Sequence, residues 1–506
     1  MSQNKVTVAA AAVAAVIAVG YPAASWYLGK QIEATHAEID AKIAAIPYLK
    51  LVRHDYQRGL FSADETITIE IPSSLFRMPT PQEPPAAPSA AQPEARPDAP
   101  PAAPLPPFRL TMRTAIQHGP LPGFKTFGAG SASTVIEFDE AIQKKIAEAF
   151  GGKPALDIQT FYNFQGGGHG TLKSPPFKII IPSEGKASQA IFSGDGLEMN
   201  VEFTRHMQQY SMRGSAPRFE LIEPSGPRIA MTGLRMESSQ QRMFEDDPLL
   251  YSGSQQITLA EISVDPGQEG GPKIGLKEIK YDVQVPAAGE FVDVIARMGA
   301  TTVQVGEQNY GPANYDFSLK HLHARKLMAI NRSLMALYTK PELLQDQGQL
   351  LQAMAPMKDQ LIALLLDNPV LSLDRLSFRM PEGEASVSAS VKLVDVKAED
   401  FANPLLLPAK IDASADIAFP SKLVLTLSGG KAQNEEEATM LGQMAQHSID
   451  NVVQHGYATL DGGILKSRIT FKTGQLLVND KPFNPMALMA PPPQQAEQPV
   501  EPAPAQ

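Results

Sequence analysis

Ile411-Asp412-Ala413-Ser414-Ala415-Asp416-Ile417-Ala418-Phe419 is the stretch that decides the fold. Ile411, Ala413, Ala415, Ile417 and Phe419 recur at every second position, and that period puts all five on one face of a β-strand. The same alternation appears in Ser386–Val394 and in Thr66–Ile71, where Ile67, Ile69 and Ile71 share a face. Further strand-like runs cover Leu51–Tyr56, Phe108–Gln117, Ala155–Phe164, Phe177–Ile181, Leu197–Phe203, Arg218–Leu221, Gln255–Val264, Ile274–Tyr281, Tyr315–Leu322 and Leu371–Phe378. Turn signals such as Arg58-Gly59, His118-Gly119-Pro120 and the glycines at 166–168 and 170 separate them. Helices suited to parallel crossovers are missing between Ala155 and Tyr281, so antiparallel pairing is predicted.

Working outward, Phe138–Phe150 reads as a helix stopped by Gly151-Gly152, and Leu327–Tyr338 as another. Glu342–Asp367 carries Leu343, Leu350, Met354, Met357, Leu361 and Leu364 on one stripe, with Pro356 as a kink. A helix from Asn434 to about Gln454 has an N-cap residue and three glutamates in its first turn. The chain then closes on a hairpin, Gly463–Lys472 and Gln475–Asn479, that turns at Thr473-Gly474. The expected class is α+β, mainly antiparallel β, in elongated or curled sheets with several amphipathic helices, after one N-terminal transmembrane helix.

That last element rests on residues 6–29, which carry no charge between Lys5 and Lys30. As a helix they extend roughly 36 Å, enough to cross a bilayer core. Tyr21, Trp26 and Tyr27 gather at the distal end like an interfacial belt, and Lys5 before the span with Glu33, Glu38 and Asp40 after it predicts a cytoplasmic start. The alternative is a cleaved signal peptide with Val6–Val19 as its apolar region and Ala23 and Ser25 framing the cut. Ala10, Ala14 and Ala18 form a small-residue line on which two such helices can pair. The expected layout is residues 1–5 in the cytoplasm, 6–29 as anchor, 30–47 as juxtamembrane helix and 48–490 as a periplasmic β-rich body. Within that body 79–107, with twelve prolines in 29 residues, is a disordered insertion, and 491–506 a disordered tail. Localisation follows as inner membrane, single-pass, with the bulk in the periplasm.

Composition narrows the function classes. The chain has 506 residues, a net charge of −10 and no cysteine. An acidic balance argues against nucleic-acid partners. The missing cysteine excludes disulfides and thiolate metal sites.

Candidate chemistry fails on geometry. His447, Ser448 and Asp450 have the residue types of a nucleophilic triad but lie side by side on one helix, where such neighbours do not face each other. His321 and His323 share a strand face without a third ligand, and Arg325 beside them repels a cation. The glycines at 166–170 lack the Lys-Ser/Thr of a phosphate loop, and Gly194-Asp195-Gly196 lacks the rest of a dinucleotide fingerprint. No catalytic, cofactor or metal residues are therefore expected.

Trp26-Tyr27-x-Gly29-Lys30, Tyr56-x-Arg58-Gly59-x-Phe61-Ser62, His118-Gly119-Pro120 and Gly474-x-Leu476-x-Val478-Asn479, followed by the apolar Met486–Met489, form a recognisable series. In these motifs the chain resembles the YdgA-like family of proteobacterial envelope proteins, a family of unknown function, from about residue 5 to 490. The resemblance implies an inner-membrane anchor and a periplasmic body, and it supplies no catalytic residues. The motif residues Tyr56, Arg58, Gly59, Phe61, Ser62, His118, Gly119 and Pro120 read as structural, with Gly59 at a turn and Phe61 as a core anchor. The expected function is a non-enzymatic envelope protein that binds or handles lipid on an apolar sheet surface, in a layout similar to AsmA-like proteins. The alternative is a structural or assembly partner in the inner membrane that self-associates. The expected partners are thus the inner membrane, lipids and a second copy of the chain.

Overall fold

The computed structural model describes residues 3–46, 48–72, 107–181, 189–223, 226–267, 270–338, 347–429 and 434–483, with side chains from residue 19 onward except at 141, 338, 347, 404 and 427–429. Residues 79–106 of the expected insertion at 79–107, the tail at 491–506 and the Met486–Met489 stretch lie outside these residues. The chain divides into two compact units. The first comprises Met1–Ala296, Gln304–Glu307 and His321–Asp367, and the second Arg297–Val303, Gln308–Lys320 and Asn368–Gln506.

The first unit begins with helix α1, Gln3–Ala45, and continues into strands β1 (Lys50–Arg58), β2 (Ser62–Ile71), β3 (Phe108–His118) and β4 (Gly130–Phe138). Each pairs antiparallel with the next. The meander runs on through Asp157–Tyr162, Gly168–Ser174 and Leu197–Phe203 to the long strands Gln209–Ile222, Arg228–Arg242, Tyr251–Asp265 and Ile274–Val285. β2 is the most enclosed of these strands, with Ile67 and Ile69 at 5% and 7% exposure. The core lies where α1 crosses β2–β4: Leu28 and Ile32 pack with Ala63, Ile116, Ala132 and Tyr162.

That packing overturns the expected topology. Among the described residues no helix is long and apolar enough to cross a membrane, and the single-pass inner-membrane localisation with a periplasmic bulk does not hold. The segments read as a span at 6–29 and a juxtamembrane helix at 30–47 lie in one continuous helix, Gln3–Ala45. In the distal part of the expected span Tyr21, Ser25 and Leu28 meet protein, while Trp26 and Tyr27 are exposed. Ser25 is fully buried, Leu28 is 7% exposed, and the Tyr21 hydroxyl donates to the Leu121 carbonyl at 2.9 Å. The side chains of Val6–Ala18 lie outside the described residues.

The second unit is an antiparallel meander of Val370–Met380, Gly383–Leu393, Ile411–Pro420, Ile464–Lys472 and Gln475–Val478, with residues 313–320 paired along the first of these. The predicted final hairpin is present, and Thr473 and Gly474 turn it at φ +51° and +78°. The helix Glu435–Gln454 starts at the predicted cap, where Asn434 Oδ1 accepts the Glu437 backbone N–H at 2.8 Å. A second helix, Ser421–Gly429, precedes it without an expectation from the sequence.

Candidate functional site

Among the described side chains of α1, Ser25, Leu28, Gly29, Ile32, His36 and Asp40 are the buried ones. Their three- and four-residue spacing makes a single stripe that faces the sheet. The upper half of the stripe is apolar or small and the lower half is ionisable, so two different contacts lie along one helix.

The upper contact gathers the motif residues. Gly59 N–H donates to the Ser62 carbonyl at 2.7 Å and closes the β1–β2 turn, while His118 N–H donates to the Phe61 carbonyl at 2.9 Å. Arg58 Nε stands 2.8 Å from Glu33 Oε2, and its guanidinium lies 5.4 Å from the centre of the Trp26 ring. His118 Nδ1 reaches the Ser25 carbonyl. Gly119 adopts φ +133°, and a Cβ there would collide with Ser25 Oγ. The Pro120 carbonyl accepts the Gly128 N–H at 3.2 Å. Phe61 is not the predicted core anchor: it is 45% exposed, with its ring 5.9 Å from that of Tyr21. Arg58, Phe61, His118 and Gly119 thus meet α1, while Gly59, Ser62 and Pro120 hold the turns that carry them.

The lower contact was invisible to motif reasoning. Tyr56 on β1 pairs with Glu65 on β2, and His54 lies two residues along the same β1 face. His36 and Asp40, one turn apart on α1, come down onto them. His36 Nδ1 is 2.6 Å from Glu65 Oε2 and its Nε2 is 2.8 Å from the Tyr162 hydroxyl. In the neutral ring Nδ1 donates to the carboxylate and Nε2 accepts the phenol proton. Burial, and then the Glu65 charge, push the Tyr162 hydroxyl far above its ordinary value, which keeps it a donor. Burial also raises the Asp40 carboxyl, against the pull of His54. The i, i+4 pairing of His36 and Asp40 was the one signal available in the sequence. Among the described residues, Asp40, His54 and Glu65 form the grouping able to hold a metal ion.

A third feature belongs to the second unit alone. The register aligns Phe317, Leu373, Ala389, Ala415 and Ile469 in one row across five strands, and Leu319, Leu371, Val391, Ala413 and Phe471 in the next. Two rows of one parity make an apolar face. Over it lies a groove of about 490 Å³, lined by nine of these residues, all but Leu319, with Tyr315, Ser372, Ser390 and Ser414, and by no charged group. Leu371 is 50% exposed in it. Residues of the opposite parity, among them Glu384, Asp416, Lys466 and Arg468, surround a charged hollow of about 500 Å³. Asp416 Oδ1 and Arg468 Nε are 3.7 Å apart there.

The groups dismissed on sequence grounds do other work. His321 stacks on Phe291 at 4.2 Å, His323 meets the same ring edge-on at 5.4 Å, and His321 Nδ1 bonds the Asp367 carbonyl at 2.7 Å. Ser448 donates to the Met444 carbonyl of its own helix at 2.8 Å rather than to a base. Gly166 closes a tight turn on Asn163, whose Oδ1 accepts the N–H groups of Gln165 and Gly167.

Over residues 4–486 the chain matches the family described as "Bacterial protein of unknown function (DUF945)", and it belongs to that family. No curated protein matches it.

Proposed function

We propose that this DUF945 protein is a non-enzymatic binder of extended apolar ligands, the acyl chains of lipids, and that it holds them in the groove of its second unit. One observation carries the reading: ten cross-strand-aligned apolar residues share a face that keeps charge on its reverse side, and one of its central leucines is half exposed. Monomeric proteins rarely leave such a face open without a partner for it. The volume falls within the range of about 300–1,000 Å³ of ligand sites, and the lining is predominantly apolar as in such sites. The motifs at Trp26–Lys30, Tyr56–Ser62 and His118–Pro120 support a finer placement among YdgA-like proteins, which adds no activity to the proposal.

Photo-crosslinking tests it. A photoreactive side chain at Val391 or Ala415 of the full chain, mixed with phospholipid in detergent, should label lipid. The same group at Lys392 or Asp416, on the other face, should not. Protein-only adducts from Val391 and Ala415 would remove the lipid reading in favour of an assembly partner or a second copy of the chain.

A further inference from the structure

Asp40, His54 and Glu65 come from three elements, α1, β1 and β2, and their ligand-type atoms lie within 4.8 Å of one another. His54 Nε2 is 2.9 Å from Asp40 Oδ2 and 3.4 Å from Glu65 Oε1. A tetrahedral ion with bonds of about 2.1 Å holds its ligands roughly 3.4 Å apart. Both carboxylates are more than nine-tenths buried, at 7% and 3% exposure. Even so, Asp40 Oδ1 has no hydrogen-bond partner, and Asp40 Oδ2 and Glu65 Oε1 have only the His54 ring beside them. Among the described residues their ion pairs are with His36 and His54, and no lysine or arginine neutralises them.

Two buried carboxylates with bare lone pairs repel each other and lose their hydration, and a divalent cation between them offsets both costs. The other oxygen of Glu65 is already taken. His36 holds it at 2.6 Å and is itself held by Tyr162 at 2.8 Å, the outer arrangement that orients a ligating carboxylate.

We propose that Asp40, His54 and Glu65 bind one divalent cation of the zinc type, which clasps helix α1 to the β1–β2 hairpin. One imidazole nitrogen with two carboxylate oxygens suits Zn²⁺, whereas Mg²⁺ and Ca²⁺ prefer oxygen alone. The His54 side chain is 32% exposed, so the ion enters from that side and its fourth position faces water.

Full-chain protein stripped with a chelator and titrated calorimetrically with Zn²⁺ should take up one equivalent and melt at a higher temperature. Mg²⁺ at the same concentration should do neither. His54→Ala removes the half-exposed ligand and leaves the buried carboxylates in place. It should weaken Zn²⁺ binding by at least about 10–100-fold with an unchanged circular dichroism spectrum. Asp40→Asn should do the same, and His447→Ala, on an exposed helix face of the second unit, should bind like the wild type. Zn²⁺ binding of equal strength in His54→Ala and Asp40→Asn, or none in the wild type, would overturn the site and leave an ion-pair network. Saturable Mg²⁺ binding of equal strength would overturn the assignment to a zinc-type ion.

Discussion

His118 Nδ1 stands 2.9 Å from the backbone carbonyl oxygen of Ser25, 93 positions earlier in the chain. A carbonyl only accepts, so Nδ1 carries the hydrogen; Nε2 is buried without a partner. The ring is 1% exposed and Ser25 is fully buried, which makes this bond a fixed point between α1 and β3. One turn further along α1, Gly29 faces the same ring. A Cβ on Gly29 would stand 2.5–2.8 Å from three of its atoms. The glycine is required there by close approach, not by backbone freedom, since it sits within a regular helix.

Gly29→Ala should therefore separate α1 from the sheet or displace His118, at a cost of about 1–3 kcal/mol. Gly20→Ala makes the natural control, because nothing lies within 4 Å of its Cβ position. That change should be neutral or gain up to about 1 kcal/mol from helix propensity. Urea unfolding of both variants checks the pair, and equal responses would mean that the close approach carries no energy.

Ile71 ends β2 directly opposite Phe108, which starts β3. Residues between them join two positions that already face each other, a gap that a loop of about two to five residues can close. Replacing Thr80–Pro106 with a short Gly-Ser linker should leave the melting temperature nearly unchanged, since each halving of a loop alters closure by only about 0.6 kcal/mol. A drop of many degrees would show that the segment adds contacts to the fold.

Strands with a clean period of two were legible, and Ile411–Phe419 fixed both the class of fold and the parity of the groove. The long strand Gln209–Ile222 was legible only in part, through Arg218–Leu221, and Arg228–Arg242 was not legible at all. Most of their residues are half-buried on both faces, so no alternation develops, and Gly214 and Pro217 read as breaks. Pro217 in fact falls between the Ala216–Leu234 and Arg218–Thr232 pairs without ending the strand. The N-terminal reading erred for a different reason. An uncharged Ala-rich helix has the same composition whether its small residues face lipid or admit a neighbouring sheet, and only the contact of Ser25 and Gly29 with His118 decides for the described part. The Asp40–His54–Glu65 grouping was illegible because its members come from three elements and no local spacing links them.

Acid sensitivity should centre on Arg–carboxylate pairs such as the one at the β-hairpin of the second unit. Arg379 donates to Glu384 Oε2 at 2.7 Å and Arg375 to Oε1 at 3.1 Å. These bonds, Arg379's above all, hold the Glu384 carboxyl below its ordinary value of 4.5. A depressed pKa contributes stability that is present above the unfolded-state value and lost as pH falls through the folded one. Glu384→Gln should then be less stable than the wild type near neutrality, by a few tenths to about 1 kcal/mol for a pair this close to solvent. The difference should vanish as pH falls well below the ordinary value of 4.5 and through the lowered folded-state one. A gap that survives in acid would point to packing rather than charge.

Filling the groove of the second unit should separate ligand binding from folding. Ala389 and Ala415 are Cα partners in the middle of one apolar row, flanked by Leu373 and Ile469. Both are half-buried, and the space above them is the groove rather than a packed core. Ala389→Phe and Ala415→Phe therefore place their rings where an acyl chain would lie, with little of the strain that overpacking a closed interior causes. Displacement of a fluorescent fatty acid from the full chain should weaken at least about tenfold in either variant, which corresponds to about 1.4 kcal/mol of lost binding. Melting temperatures should stay close to the wild type. Asp416→Asn, on the charged face, should bind the probe as the wild type does, because its side chain stands on the opposite side of the same strand. Unchanged probe affinity in both phenylalanine variants, with their fold intact, would exclude the groove as the acyl site.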